Sequence, residues 1–160
     1  MNATHIGAKL IAAEPMTRQA YNAFRGWEVP ADENPNDEGY LVEYADGGPA
    51  NVPGREGYVS WSPKDVFERS YRPTAGLTFG LAVEALRMGK KVARAGWNGK
   101  GMWVRRLDLF NDNEFFLIEE PTSTGTLMPF FVIYSPWDGK LNTWVASITD
   151  IQAEDWQIID

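Results

Sequence analysis

The 160-residue chain is 44% hydrophobic, with seven Trp, six Tyr and eight Phe, and carries a formal charge of -7. Such a composition supplies a packed core and argues against disorder over most of the length, while the acidic balance argues against general DNA or RNA binding. The absence of cysteine excludes disulfides, thiolate nucleophiles and Cys-based zinc sites.

No apolar run approaches the roughly 20 residues that cross a bilayer. The opening MNATHIGAKLIAAEP has neither the basic start nor the long apolar core of a signal peptide. A cytoplasmic protein without a membrane partner is expected. The first predicted element is a strand at Lys9 to Ala13, followed by a short helix from Arg18 to Phe24. Thr17 is a suitable N-cap for that helix and Gly26 stands near its end. Residues 29–39, VPADENPNDEG, form a polar loop rich in turn formers. Strands at Gly39 to Ala45 and Tyr58 to Trp61 follow, separated by the Asp46-Gly47-Gly48 turn. Ser62 as cap and Pro63 at the first position then start a helix that ends by Tyr71.

A seam at Tyr71-Arg72-Pro73-Thr74-Ala75-Gly76 divides the chain into residues 1–73 and 74–160. Both parts are acidic, with eleven acids against seven bases and eleven against eight, but only the second gathers its bases into a run. There, Phe79, Ala82, Val83 and Leu86 fall at helical spacing within Thr78 to Met88, and Gly89 closes the helix. Strands are predicted at Lys91 to Ala95, Met102 to Leu109, Phe115 to Ile118, Phe130 to Tyr134 and Leu141 to Val145. Thr149 or Asp150 caps a short helix running to about Asp155, and Trp156 to Ile159 is the last strand. The fold class is α+β: a largely antiparallel sheet with a few short helices, preceded by a small N-terminal α+β module.

Between Glu84 and Asp108 lie seven cations and no acid: Arg87, Lys90, Lys91, Arg94, Lys100, Arg105 and Arg106. Inside this run, Arg94-Ala-Gly-Trp-Asn-Gly-Lys-Gly-Met-Trp103 combines what a phosphate- and base-bearing ligand requires. Arg94 and Lys100 supply cations, Trp97 or Trp103 an aromatic face, and Asn98 an amide for a base edge or ribose hydroxyl. Asn98-Gly99 is also a strong turn dipeptide, so spacing alone supports an ordinary hairpin at least as well. The glycines match neither a P-loop nor a dinucleotide fingerprint, and no cofactor is expected.

A second constellation is Trp144-Val-Ala-Ser-Ile-Thr-Asp150 followed by Ala153-Glu-Asp-Trp156. Ser147, Thr149 and the amides of the coming helix offer donors to a phosphate or ribose, and Asp150 can pair a ribose diol or Arg94. Helix capping with Trp144 and Trp156 in the core explains the same residues. Catalysis has little support. His5 is the only histidine, so neither a triad nor a His-ligated metal site is available. The carboxylate pairs Glu119-Glu120 and Glu154-Asp155 read as solvated surface, since adjacent side chains point apart.

The two segments TFGLAVEALRMGKKVARAGWNGKGMW and WVASITDIQAEDW resemble the second Thoeris anti-defence family of bacteriophages, over roughly Leu77 to Ile159. The resemblance implies a small α+β protein that forms homotetramers. It also implies a sponge, which holds the cyclic ADP-ribose-type signal of TIR-domain defence enzymes without degrading it. Some members similarly hold cyclic dinucleotide signals of CBASS defence at separate sites. Carried onto matching positions, Phe79, Trp97, Asn98 and Trp103 would contact base and ribose, and Arg94 would face phosphate. Ser147, Thr149 and Asp150, near Trp144, would form a second wall. The chain departs from the pattern at Ile148, where a polar residue often stands, and at Asn111 to Pro129. It departs most in its front segment, which resembles a small module found on assorted phage proteins. The implied setting is the cytoplasm of an infected bacterium. Two other readings stay open: an enzyme acting through Asp150 or Glu154, and a phage structural or protein-interaction module.

Overall fold

The computed structural model describes residues 4, 6–108 and 128–159. The chain divides into two compact units, Met1–Arg72 and Pro73–Asp160.

In the first unit, β1 (Ala12–Pro15), β2 (Gly39–Tyr44) and β3 (Tyr58–Pro63) form an antiparallel sheet in that order. The unit also holds α1 (Arg18–Arg25) and α2 (Lys64–Ser70), and pairing opposes Leu41 to Trp61 and Val42 to Ser60. Alternate residues therefore serve opposite faces. Leu41, Val59 and Trp61 cluster with Tyr21 of α1, and Tyr40 stacks on Phe67 of α2 at 4.1 Å between ring centroids. Thr17 caps α1 by accepting the Ala20 amide, and Gly26 closes it at φ 70°. The first strand lies further along than expected, at Ala12–Pro15 rather than Lys9 to Ala13. Among the described residues it pairs with β2 alone and is an edge strand, where the missing Pro15 amide is tolerated. Ser62 does not cap α2. Pairing with β2 carries β3 on to Pro63, and Pro63 itself takes the cap position without a side-chain bond.

The second unit contains β4 (Ala75–Leu77), α3 (Phe79–Arg87), β5 (Lys91–Arg94), β6 (Trp103–Leu107), β7 (Phe130–Ser135), β8 (Lys140–Thr143), α4 (Ile148–Ile151) and β9 (Trp156–Ile159). Its strands form one antiparallel sheet in the order β4-β9-β5-β6-β7-β8. Apolar spacing along α3 presents Ala82, Ala85 and Leu86 to the sheet, where they pack with Leu77, Val92, Val104 and Trp156. Thr78 caps the start by accepting the Leu81 amide. At the other end Gly89 donates to Leu86 O at 3.1 Å and Lys90 to Ala85 O at 3.0 Å, the paired closure that a left-handed residue permits. Among the described residues the two units hold four helices and nine strands, an α+β fold with antiparallel sheets.

Two further expectations change. The short helix before β9 starts after Ser147 and ends at Ile151, not at Asp155, because Ser147 is the residue whose hydroxyl reaches the Asp150 amide. The last hairpin strand ends at Thr143, although the Trp144 amide still donates to Phe131 O at 2.9 Å. The strand expected at Phe115 to Ile118, and the residues His5, Glu119 and Glu120, lie outside the described residues.

Gly89 adopts φ 80° with open space around the position of a Cβ, so only backbone strain opposes a side chain there. Gly89→Ala is expected to destabilise the protein by about 1–2 kcal/mol, read as a lower urea midpoint at unchanged slope.

Candidate functional site

The sheet order brings the end of β5 beside the start of β9, with Arg94 opposite Trp156. That register places the 95–102 loop next to the segment leading out of α4. Arg94 bridges two carboxylates. Its Nη1 donates to Asp150 Oδ1 at 2.9 Å and its Nε to Asp155 Oδ1 at 2.8 Å, with only 17% of the arginine side chain exposed.

Asp150 is the hub. Its Oδ1 also accepts the Trp97 indole N–H at 3.1 Å, while Oδ2 accepts the Ser147 amide at 3.0 Å and the Ser147 hydroxyl at 2.7 Å. Ser147 Oγ in turn accepts the Asp150 amide at 3.1 Å, which completes a capping box over the four-residue α4. Because the Ser147 proton goes to Oδ2, Thr149 donates in the 2.8 Å contact between the two hydroxyls. The Asp150 carbonyl accepts the indole N–H of Trp156 at 3.0 Å.

Around this polar hub stands an aromatic box. Trp156 is fully buried and forms its floor. Trp97 meets it edge-on at 5.4 Å between centroids and Trp144 at 5.9 Å, with Phe79 at 5.8 Å. Trp97, Trp144 and Phe79 are only partly buried.

Burial pulls the Asp150 pKa upward. Hydrogen bonds from the Ser147 hydroxyl and Arg94, then from the Ser147 amide and the Trp97 indole, outweigh it and lower the pKa from 3.8 to about 2. The Arg94 hydrogen bond, against a smaller burial cost, likewise holds Asp155 below the usual carboxylate range. Arg94 is raised by its bonds to Asp155 and then Asp150. Both acids are therefore ionised, and one cation faces two carboxylates.

Of the residues singled out in the sequence, the structure gathers Phe79, Arg94, Trp97, Trp144, Ser147, Thr149 and Asp150 around one hub. Asn98 is exposed on the same loop. Trp103 is placed elsewhere. It opposes Tyr134 in β7 while its neighbour Val104 opposes Val92 and Ile133, so Trp103 occupies the other face of the sheet. There it stacks on Tyr134 at 5.0 Å with the Lys91 ammonium 5.0 Å above its ring. The basic run is thereby shared between two faces. Asp155, expected as solvated surface, is an ion-pair partner within the cluster. No local pattern marks it, because only the pairing of β5 with β9 brings it to Arg94. Among the described residues no group of three His, Cys, Asp or Glu side chains is placed to hold a metal ion, and no helix is long and apolar enough to cross a membrane.

The model of the Thoeris anti-defense 2-like domain matches residues 77–159, about half of the chain. The chain belongs to that family. Thoeris anti-defense 2 of Bacillus phage SP01 is similar to it, 35% identical over 89 residues that cover 52% of this chain and 94% of the relative. The family region falls within the second unit and contains the whole Arg94–Asp150 cluster.

The Asp150 carboxylate has a folded-state pKa below its unfolded value, so its contribution is complete above about pH 4 and is lost as pH falls through about 2. Relative to Asp150→Asn, the wild type is expected to lose about 2 kcal/mol of unfolding free energy between pH 5 and pH 2. Urea unfolding at each pH reads this, and a difference that does not change with pH removes the carboxylate from the role.

Proposed function

We propose that this protein is a phage anti-defence factor that binds and sequesters a cyclic nucleotide immune signal in the cytoplasm of an infected bacterium, without degrading it. The signal class is the glycocyclic ADP-ribose made by TIR-domain enzymes; cyclic dinucleotides are a second class for the same activity. Similarity to Thoeris anti-defense 2 of Bacillus phage SP01 supports the anti-defence role. The binding reading rests on one observation, the partly open aromatic box of Phe79, Trp97 and Trp144 beside a hydrogen-bonded polar hub.

In this reading the aromatic faces receive the base, while Asn98, Ser147 and Thr149 meet base edge and ribose hydroxyls. Arg94 makes two hydrogen bonds to carboxylates. Of its five N–H donors, the rest are available to a ligand phosphate. Lys100, exposed on the same loop, adds charge. Trp103, on the other face of the sheet, takes no part in this box. The same geometry supports a non-catalytic role. Asp150 accepts four donors and is held at about pKa 2, which makes it a poor general base near neutral pH.

We assign ligand binding to residues 74–160 and treat residues 1–73 as a separate small module. A homotetramer encloses the ligand between subunits, with Val145, Ile148 and Ile151, all exposed beside the Ser147 cap, supplying apolar surface for the contact.

Isothermal titration with glycocyclic ADP-ribose and with 3′,3′-cGAMP, followed by chromatography of heat-released ligand, tests the function. Saturable binding of at least one ligand and its intact recovery are expected. A linear product, or binding of neither compound, overturns the reading. Loss of base stacking in Trp97→Ala is expected to weaken binding about tenfold or more, from about 1–3 kcal/mol per stacked base.

A further inference from the structure

One residue outside the expected site makes contact with three successive positions of β5 and the loop that follows it. Asp155 Oδ1 accepts Arg94 Nε at 2.8 Å, its carbonyl accepts the Ala95 amide at 3.1 Å, and Oδ2 accepts the Gly96 amide at 2.7 Å. The third contact depends on the absence of a side chain. A Cβ on Gly96 would lie 2.8 Å from Asp155 Oδ2, and Gly96 does not occupy the left-handed backbone region. A side chain at this position would therefore displace the carboxylate from the Gly96 amide.

The reference point for these contacts is stiff. Asp155 immediately precedes Trp156, which is fully buried and hydrogen-bonded through its indole to Asp150. The loop itself has less support: the β5–β6 pairing below it registers at Val92 and Val104. Among the described residues, a Trp97 amide bond to Arg94 O at 3.3 Å and a Met102 amide bond to Gly99 O at 3.4 Å are the backbone contacts between the latch and β6.

We propose that Asp155 is a positioning residue for ligand capture, whose carboxylate latches the 95–102 loop to the start of β9 and so presets Trp97 and Asn98. The proposal rests on the sequestration reading for its ligand, but the latch itself exists in the free protein. Ordering a loop at the moment of binding subtracts from affinity, and a loop already held at one end avoids part of that cost. Asp155 needs no contact with the ligand to act in this way. Its partner Asp150 holds Trp97 by the indole tip, while Asp155 holds the backbone one residue earlier. Together they fix both the position and the tilt of the ring.

The test uses the full chain labelled with 5-fluorotryptophan. The Trp97 fluorine resonance is the one missing from Trp97→Phe, and the Trp156 resonance the one missing from Trp156→Phe. In ligand-free Asp155→Ala, the Trp97 resonance is expected to shift and change width while that of Trp156 stays in place. Titration with glycocyclic ADP-ribose should show affinity at least tenfold below wild type. Asp155→Asn retains an oxygen for the Gly96 amide but no charge for Arg94, and should fall between the two. Gly96→Ala presses on the carboxylate from the other side and should reproduce the Trp97 shift. Where Asp155→Ala loses the Trp156 signal through unfolding, Asp155→Asn and Gly96→Ala carry the decision. An unmoved Trp97 resonance in the folded variants, or affinity within twofold of wild type, overturns the proposal. Should wild type bind no ligand, the sequestration reading falls separately, and the ligand-free resonances alone decide whether Asp155 positions Trp97.

Discussion

The ion pair between Arg94 and Asp150 joins two pieces of chain 56 residues apart and does so with little exposure of either side chain. A buried carboxylate without partners would be costly, and one with four donors is not. Each of those donors orders something. The Ser147 amide and hydroxyl define where α4 begins, the guanidinium fixes the end of β5, and the indole N–H turns Trp97 inward. Trp97, Trp144 and Trp156 then meet edge to face, an arrangement favoured by the ring quadrupoles. The aromatic box thus takes its shape from a polar centre.

The first unit uses arginine in a comparable way. Arg18 pairs with Glu33 at 2.6 Å and Asp37 at 3.3 Å while its guanidinium lies 4.3 Å over the Trp61 ring. A planar cation can satisfy carboxylates at its edge and cover an aromatic face at once, which an ammonium does less well. In this unit the result pins a long polar loop to the sheet. Arg94 in the second unit ties a loop-bearing strand to a helix cap.

Legibility in the sequence followed the distance over which each interaction acts. Thr17 as a cap, and Gly26 and Gly89 as helix ends, depend on bonds within a few residues and could be read directly. For α4 the sequence points to Thr149 or Asp150 as the cap. The reciprocal Ser147–Asp150 bonds give that position to Ser147 instead. Trp103 and Trp97 stand six positions apart, on either side of the start of the strand expected from Met102. Strand alternation then sends Trp103 to the other face, with Lys91. Asp155 was illegible for a different reason, since its partners lie 59 to 61 residues away and the link depends on which strands become neighbours.

The strand made last in the second unit lies inside its sheet, between β4 and β5, and not at an edge. During synthesis the chain emerges with β4 and β5 awaiting a neighbour some 60 to 80 residues downstream, which is a demanding loop closure and a slow kind of contact to form. Until β9 arrives, Arg94 has neither of its carboxylates aligned and Trp97 has no floor. Assembly of the site consequently depends on that distant pairing, which brings Asp155 and Trp156 to Arg94.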